Sequence, residues 1–586
     1  MMYKIQQIVF PSIDIVCPEN MYFRGNEEKV YASLNKKSIE IVRHGIAIFD
    51  TFFNSLSIRP WKENCQIDDL GLSLTGRGKV RIRLGLHVLD RADQWLYEND
   101  IELSDTPYEM DLPFWNRVHD GMLYLEVRAL TDAEITGGYF FTRTKPRNKV
   151  RLGIVITHYN RKHYVLPAIH RISTELLNDP YYKDHIELIV VDNSQNIEDS
   201  EKENAILLPS KNLGGSGGFT RGLLYLKDEN FTHCLFMDDD ASCEMESIRR
   251  TLHILEYGKV DNLAVAGSML REAEPFRLHE KRARIAGTGV VNLKHGLDMR
   301  HVHDLLVAET PEPVTYGGWW HFAFRIKDVT HLSFPFFVRG DDMLFGLTNH
   351  FNIMTLNGIG GWADDFGIKE SPINRYLSLR AHLMCLIIGT NTSKWKMLRT
   401  SFGCVITSDM SYNYSGAQAF IEAVRDVLKG PSFWENNVDM ANVRKHLSQI
   451  APGEKCEPIH IPKDAEYGRG LHESRKRRFC RILTLNGFLL PNFLMKNKTL
   501  VESKNFHAVF RRVFRYKRIL YITPDHTGYI AEYNKKKFFK NLRDWGKVSF
   551  VFCRKFQSTK TEYQKSLTHL TSEGFWRKVF TSNQNK

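Results

Sequence analysis

Three runs of consecutive apolar residues, spaced by stretches of helical composition, restrict the fold of this chain more than any other feature. Arg151-Leu-Gly-Ile-Val-Ile-Thr157 is one such run, Ile186-Glu-Leu-Ile-Val-Val191 the next and Cys234-Leu-Phe-Met237 the third. Helical patterns lie between them, from about Tyr164 to Leu177 and, led by glycines, from Leu213 to Leu226. Strands buried on both faces and alternating with helices form a mostly parallel sheet covered on both sides. Ligands of such sheets bind beyond the carboxyl ends of the strands, and the polar clusters of this segment fall at those ends.

The rest of the chain reads differently. Residues 1–147 alternate polar and apolar positions, as in Lys79-Val-Arg-Ile-Arg-Leu-Gly-Leu-His-Val-Leu89 and Met122-Leu-Tyr-Leu-Glu-Val-Arg128. That period belongs to half-buried strands and predicts a β-sandwich. The α/β segment spans 148–390, a helical extension 391–465, and a basic, aromatic region with short helical patterns 466–586. From Leu471 onward there are 26 Lys+Arg and 7 Asp+Glu, so of the chain's 80 basic and 68 acidic residues the remainder holds 54 and 61. A basic tail of +19 on a body of −7 predicts an anionic partner. The nine scattered cysteines contain no C-x-x-C pair, which argues against a zinc ribbon and a disulfide framework and for a reducing compartment. No apolar run approaches the ~20 residues that span a bilayer, and the N-terminus lacks a signal-peptide core, so a soluble or peripheral protein is expected.

The chemistry concentrates in four places. Phe236-Met-Asp-Asp-Asp-Ala241 puts Asp238, Asp239 and Asp240 directly after a buried strand. Adjacent carboxylates repel unless a cation relieves them, and a divalent ion with oxygen ligands would do so while bridging phosphates; the plain alternative is a solvated acidic turn. Asn212-Leu-Gly-Gly-Ser-Gly-Gly-Phe219 opens a helix with Gly214 and Gly215, a pattern that can present backbone N–H groups to a diphosphate or serve as a flexible turn. Thr157, Tyr159 and Arg161 follow the first strand and Asp192 ends the second, which predicts one shared rim. Tyr316-Gly-Gly-Trp-Trp320 precedes Phe336-Phe-Val-Arg-Gly-Asp-Asp342. Trp319 and Trp320 suit a sugar face or a core, and of two adjacent carboxyls, Asp341 and Asp342, one should have a raised pKa useful in a base.

Taken together, these strings resemble family-2 glycosyltransferases of the GT-A fold, and within them the bacterial galactofuranosyltransferases. The matching pieces are Tyr159-Asn-Arg161, Asn212 to Phe219, Leu235-Phe-Met-Asp-Asp-Asp240, Gly318-Trp-Trp320 and Asp341-Asp342, in family order over roughly 150–385. The resemblance implies an inverting transfer of galactofuranose from UDP-galactofuranose to a glycan or lipid-linked glycan, as in O-antigen or galactan synthesis. Rhamnose or another donor sugar, and a non-catalytic glycan-binding scaffold, are the alternatives. It implies Mn or Mg held by Asp238 and Asp240, and a nucleotide sugar held by Thr157, Tyr159, Arg161, Asp192, Asn212, Gly214, Gly215, Asp238 and Asp239. Trp319 and Trp320 would shape the acceptor site, with Asp342 as base and Asp341 assisting. The family's metal-binding His has Ala363 in its place, in Gly361-Trp-Ala-Asp-Asp-Phe366; Asp364 would then be the third ligand, a second-sphere group, or replaced by water. The implied location is the cytoplasmic face of the plasma membrane, with the basic tail on anionic lipid rather than nucleic acid. Self-association is left open.

Overall fold

The structure, a computed structural model, describes residues 1–26, 28–364, 370–468, 473–504 and 510–582. Two compact units emerge. The first comprises Met1–Asn212, Gly218–Leu332 and Phe345–Asp364, and the second Leu213–Gly217, Ser333–Leu344 and Asp365–Lys586.

In the first unit, the alternating N-terminal sequence forms eleven strands joined in one sheet, where a two-layered sandwich is expected from the pattern. The connection is a single seventeen-residue strand, Gly71–His87, which pairs antiparallel with Met122–Ala129 along Val80–His87 and with Ala133–Thr142 along Gly71–Arg77. The switch occurs around Gly78, whose φ of +94° and missing Cβ let Asp132 O approach to what would be 2.4 Å.

The apolar runs form the predicted sheet: β1 (Leu152–His158), β2 (Ile186–Asp192), β3 (Ile206–Pro209) and β4 (His233–Asp238), with β5 (Leu263–Ala266), β6 (Phe322–Arg325) and β7 (Asn352–Met354). The order is β3-β2-β1-β4-β6-β5-β7. β1 to β4 are parallel, and β6 enters antiparallel between β4 and β5. Helix α1 (Gly214–Asp228) reaches β1 through glycines: a Cβ on Gly222 would stand 2.3 Å from Val155 Cγ1, and one on Gly218 2.3 Å from Thr157 Cγ2. Helix α2 (Met245–Tyr257) ties this sheet to the N-terminal strands. Its Arg250 is fully buried and donates to Gln7 O and Phe53 O, while Glu246 accepts from Gln7 N at 2.7 Å and from Arg250 Nε at 3.0 Å. One apolar core runs through both parts, so the boundary expected near residue 147 separates compositions and not cores.

The second unit holds helix α3 in its first turn (α3 spans Asp341–Asn349), α4 (Pro372–Gly389), two further helices at Lys394–Met410 and Tyr414–Val427, α5 (Arg475–Leu483) and a 36-residue helix at Lys535–Leu570. The basic region, expected to be helical, also contains a five-stranded sheet. Its centre is Lys496–Ser503, Tyr516–Ile522 and Thr527–Glu532. Leu500, Ile519 and Tyr521 from these strands pack with Phe488 and Phe538 in a core of their own. Among the described residues, no helix is long and apolar enough to cross a membrane.

Candidate active site

The rim of the first unit's sheet is set by register. Thr157 on β1 lies opposite Asp238 on β4, and His158 opposite Asp192 on β2. Three strand ends therefore bring Thr157, Asp192 and the Asp238–Asp240 turn to one edge. Asn160, with φ +55°, turns the chain so that Arg161 reaches back over this edge. Arg161 Nη1 donates to Asp240 Oδ2 at 2.6 Å and to Asp239 Oδ1 at 3.1 Å. Burial opposes its charge, yet the carboxylates of Asp240 and Asp239 outweigh that and raise its pKa. His158, fully buried, stands 3.6 Å from Asp239 Oδ2 and hydrogen-bonds Asn196 Oδ1 at 3.0 Å. Burial works against its protonation, and the nearby Asp239 carboxylate and the hydrogen bond to Asn196 prevail and raise its pKa. The sequence offered a cue to His158 only in hindsight: a polar residue inside an otherwise apolar strand end.

Asp192 departs from its expected role. Its Oδ1 accepts from Ser194 N, Ser194 Oγ and Gln195 N at 2.7–2.9 Å, and its Oδ2 from Asn196 N and Ile197 N at 2.8 and 3.0 Å. A carboxylate has about four acceptor positions, so none is left for a nucleobase N–H. Burial disfavours its charge, but the N–H donors of Ile197, Ser194 and Asn196 more than compensate and hold the carboxyl below its ordinary range. It organises the loop after β2.

The two tryptophans also divide. Trp319 is buried in the aromatic core, with ring centroids 5.1, 4.8 and 5.5 Å from those of Phe219, Phe236 and Phe345. Its faces are covered, which corrects the expectation that it stacks on a sugar. Trp320 is half-buried, folds over Gly318 and donates from Nε1 to Gly267 O at 2.9 Å. Tyr159 is exposed and Asn212 half-buried.

A small sheet carries the stretch that replaces the family's Trp-His pair. Gly360–Ala363 pairs antiparallel with Ser242–Cys243, Trp362 opposite Ser242 and Gly361 opposite Cys243. Asp364 directly follows this strand. Even so, among the described residues no three His, Cys, Asp or Glu side chains gather into a group that would hold a metal. Asp365 and Phe366 lie outside the described residues. Two features nonetheless suit a hard cation: the carboxylate oxygens of Asp238 and Asp240, and the buried Thr157 Oγ1 opposite Asp238, which has no hydrogen-bond partner among the described residues.

In the second unit, the glycine-rich turn is committed to protein. Gly214 has φ +68°, and a Cβ there would meet Phe337 O at 2.0 Å. Ser216 N donates to the same oxygen at 3.1 Å, so this amide is not held open for phosphate, and Gly215 beside it is half-buried. Ser216 Oγ donates to Asp341 Oδ2 at 3.4 Å. Gly340, φ +87°, admits α4 so closely that a Cβ would lie 2.4 Å from Ala381 Cβ. That packing buries Asp341 at the start of α3 and leaves Asp342 more exposed. Desolvation first, and then the charge of Asp342, raise the Asp341 pKa. Asp342 Oδ1 accepts from Met343 N at 2.8 Å.

Residues 153–300, which contain the rim from Thr157 to the Asp238–Asp240 turn, match the family model described as glycosyl transferase family 2. The chain carries a family-2 glycosyltransferase domain. This glycosyltransferase is 22% identical over 622 residues to galactofuranosyltransferase GlfT2 of Mycolicibacterium smegmatis, a match covering 94% of this chain and 92% of that protein. It is 23% identical over 512 residues to GlfT2 of Mycobacterium tuberculosis, covering 79% and 77%. Among solved structures it is similar to glucosyl-3-phosphoglycerate synthase from Mycobacterium tuberculosis in complex with Mn2+, UDP-glucose and phosphoglyceric acid. That similarity is 15% identity over 40% of this chain and 79% of the other, with a TM-score of 0.27, too loose an overlap to transfer geometry.

Proposed function

We propose that this glycosyltransferase moves galactofuranose from UDP-galactofuranose to a hydroxyl of a lipid-linked or polysaccharide acceptor, with inversion at the anomeric carbon. The observation that carries the reading is the Asp238–Asp240 turn at a strand end, in register with Thr157 and covered by Arg161. The similarity to galactofuranosyltransferases along most of the chain supports the choice of sugar. Asp238 and Asp240 would hold Mn or Mg, with Asp364, directly after the strand Gly360–Ala363, as the third ligand. Bound there, the ion would neutralise charge on the departing diphosphate.

The protein's own groups supply the rest. Arg161 can exchange carboxylate partners for phosphate oxygens, keeping a charge-assisted bond in either state. Thr157, Tyr159, Asn212 and Asp239 complete the nucleotide-sugar contacts, and Trp320 the acceptor side. Asp342 takes the proton from the acceptor hydroxyl as that oxygen bonds to the anomeric carbon and the bond to the diphosphate breaks. Two adjacent carboxyls titrate as a pair. Burial holds Asp341 toward its neutral form, and Asp342, the less buried neighbour, is the member proposed as base. The acceptor, and with it the enzyme, would work at an anionic membrane surface.

Nucleotide release measured across a panel of UDP- and dTDP-sugars tests the donor. Turnover confined to UDP-galactofuranose is expected. Turnover confined to another sugar would replace the donor, and a protein that neither turns over nor binds UDP would be a scaffold.

A further inference from the structure

An amphipathic helix in the second unit faces the wrong way for a soluble protein. Helix α5 reads Arg475-Lys-Arg-Arg-Phe-Cys-Arg-Ile-Leu483, and its apolar residues Phe479, Ile482 and Leu483 recur at the i, i+3, i+4 spacing of one helix face. In a core-facing helix that face is covered. Here the three are 67%, 57% and 65% exposed, and the buried member is Arg481, clamped by Glu473 through two bonds of 2.8 and 3.0 Å.

Past α5 the chain buries Phe488 but leaves further apolar side chains outside. Leu489 N donates to Thr484 O, which holds the following turn against the end of α5. Beyond it Leu489, Phe493 and Leu494 are exposed, Phe493 at 82%. Arg475 and Lys476 lie one turn before Phe479 on the same side, Arg477 and Arg478 beside them, all exposed. Residues 473–498 contain seven basic side chains and one acidic, a net of 7 − 1 = +6.

We propose that this surface, Phe479 to Leu494 with its flanking cations, is where the protein docks on an anionic lipid bilayer. Charge and apolar exposure together select the partner. A polyanion such as RNA would satisfy the cations but gives no reason to expose Ile482, Leu483 and Leu489. An interfacial helix needs both, apolar side chains entering the acyl boundary and cations at the headgroups. The inference deepens the proposed reading, in which the acceptor is membrane-borne, and rests on it for the purpose of docking though not for the docking itself.

The test is co-sedimentation of the full chain with vesicles of phosphatidylcholine containing about 30 mol% phosphatidylserine, against pure phosphatidylcholine, at physiological salt. Wild type should partition to the anionic vesicles. The pair Ile482→Ser with Leu483→Ser, and separately Arg475→Glu with Lys476→Glu, should each lower the partition coefficient about tenfold. In a second measurement Phe493→Trp, a conservative change at an exposed site, should show a blue-shifted emission quenched by brominated lipid. Wild type that stays in the supernatant overturns the proposal, as do unchanged pair variants or an unquenched tryptophan. So does a protein that ignores vesicles while binding single-stranded RNA, or one whose oligomer falls apart on Ile482→Ser with Leu483→Ser and which never binds vesicles. Nucleotide release to a soluble acceptor, run without vesicles, separates the two readings. Intact transfer with no vesicle binding sinks only the docking surface, and vesicle binding without transfer sinks only the enzymatic reading.

Discussion

Replacing glycine by alanine inside a helix ordinarily stabilises it by about 1 kcal/mol, and two glycines of this chain should give opposite signs. Gly546, in the helix Lys535–Leu570, has nothing within 4 Å of a Cβ, so Gly546→Ala should be stabilising by about that amount. Gly222 on α1 is different. A Cβ there falls 2.3 Å from Val155 Cγ1, 3.0 Å from Cγ2 and 3.2 Å from Cβ. Val155 is β-branched and sits on β1, flanked by β2 and β4, so it has neither a free rotamer nor a strand able to retreat. Relieving the overlap requires α1 to move off the sheet by more than an ångström. Overpacking of this kind costs roughly 1–3 kcal/mol, and this case lies at the upper end. Set against the helical gain of about 1 kcal/mol, Gly222→Ala should be destabilising by about 2 kcal/mol. Scanning calorimetry reads the two variants in parallel: the transition that contains the α/β sheet should fall by several degrees for Gly222→Ala, and Gly546→Ala should raise its own. Equal stabilisation by both would refute the claim that α1 is held on β1 by its glycines, and with it the physical reason given for the glycine-rich string.

Three further outcomes follow from the sites. Asp342→Asn should lower transfer by about 10²–10⁴-fold while leaving UDP affinity unchanged, read by single-turnover kinetics and calorimetric titration. Asp341 has a raised folded-state pKa, so the folded state holds its proton more tightly than the unfolded one. Its contribution is fully present below the unfolded carboxyl pKa and is lost as pH rises through the folded value; Asp341→Asn should therefore raise the melting temperature more at pH 8 than at pH 5. Asp192→Ala removes the acceptor of five hydrogen bonds from its loop, and should lower stability by about 2–4 kcal/mol in urea titration, with Asp192→Asn keeping part of it.

The parallel sheet was legible because β1, β2 and β4 are short, uniformly apolar and closed by polar residues, and because strand ends collect function. The rim followed from the same logic: Thr157, Asp192 and Asp238 share it because neighbouring parallel strands end together. What pattern could not supply was the fate of each polar group. Asp192 looks like a ligand in sequence, yet four following N–H groups and a hydroxyl take its lone pairs. Trp319 and Trp320 are adjacent and alike on paper, and opposite side-chain directions send one into Phe219, Phe236 and Phe345 and the other back over Gly318. The glycine string suggested phosphate, whereas Gly214 and Gly218 each answer to a neighbouring protein atom. The basic region hid its strands because net charge dominated the reading, although Arg518-Ile-Leu-Tyr-Ile522 and Lys498-Thr-Leu-Val-Glu502 carry apolar side chains enough for a sheet. β6 escaped because its place between β4 and β5 is set by pairing distant in sequence.

The central claim is that the Asp238–Asp240 turn grips a nucleoside diphosphate through a divalent ion. Calorimetric titration of UDP into the wild-type protein and into Asp238→Asn with Asp240→Asn, each with and without Mn2+, tests it most directly. The account predicts Mn2+-dependent binding by wild type, a loss of about 100-fold or more in the double variant, and retention in Asp342→Asn. UDP affinity that is indifferent to Mn2+ and to both substitutions would contradict it.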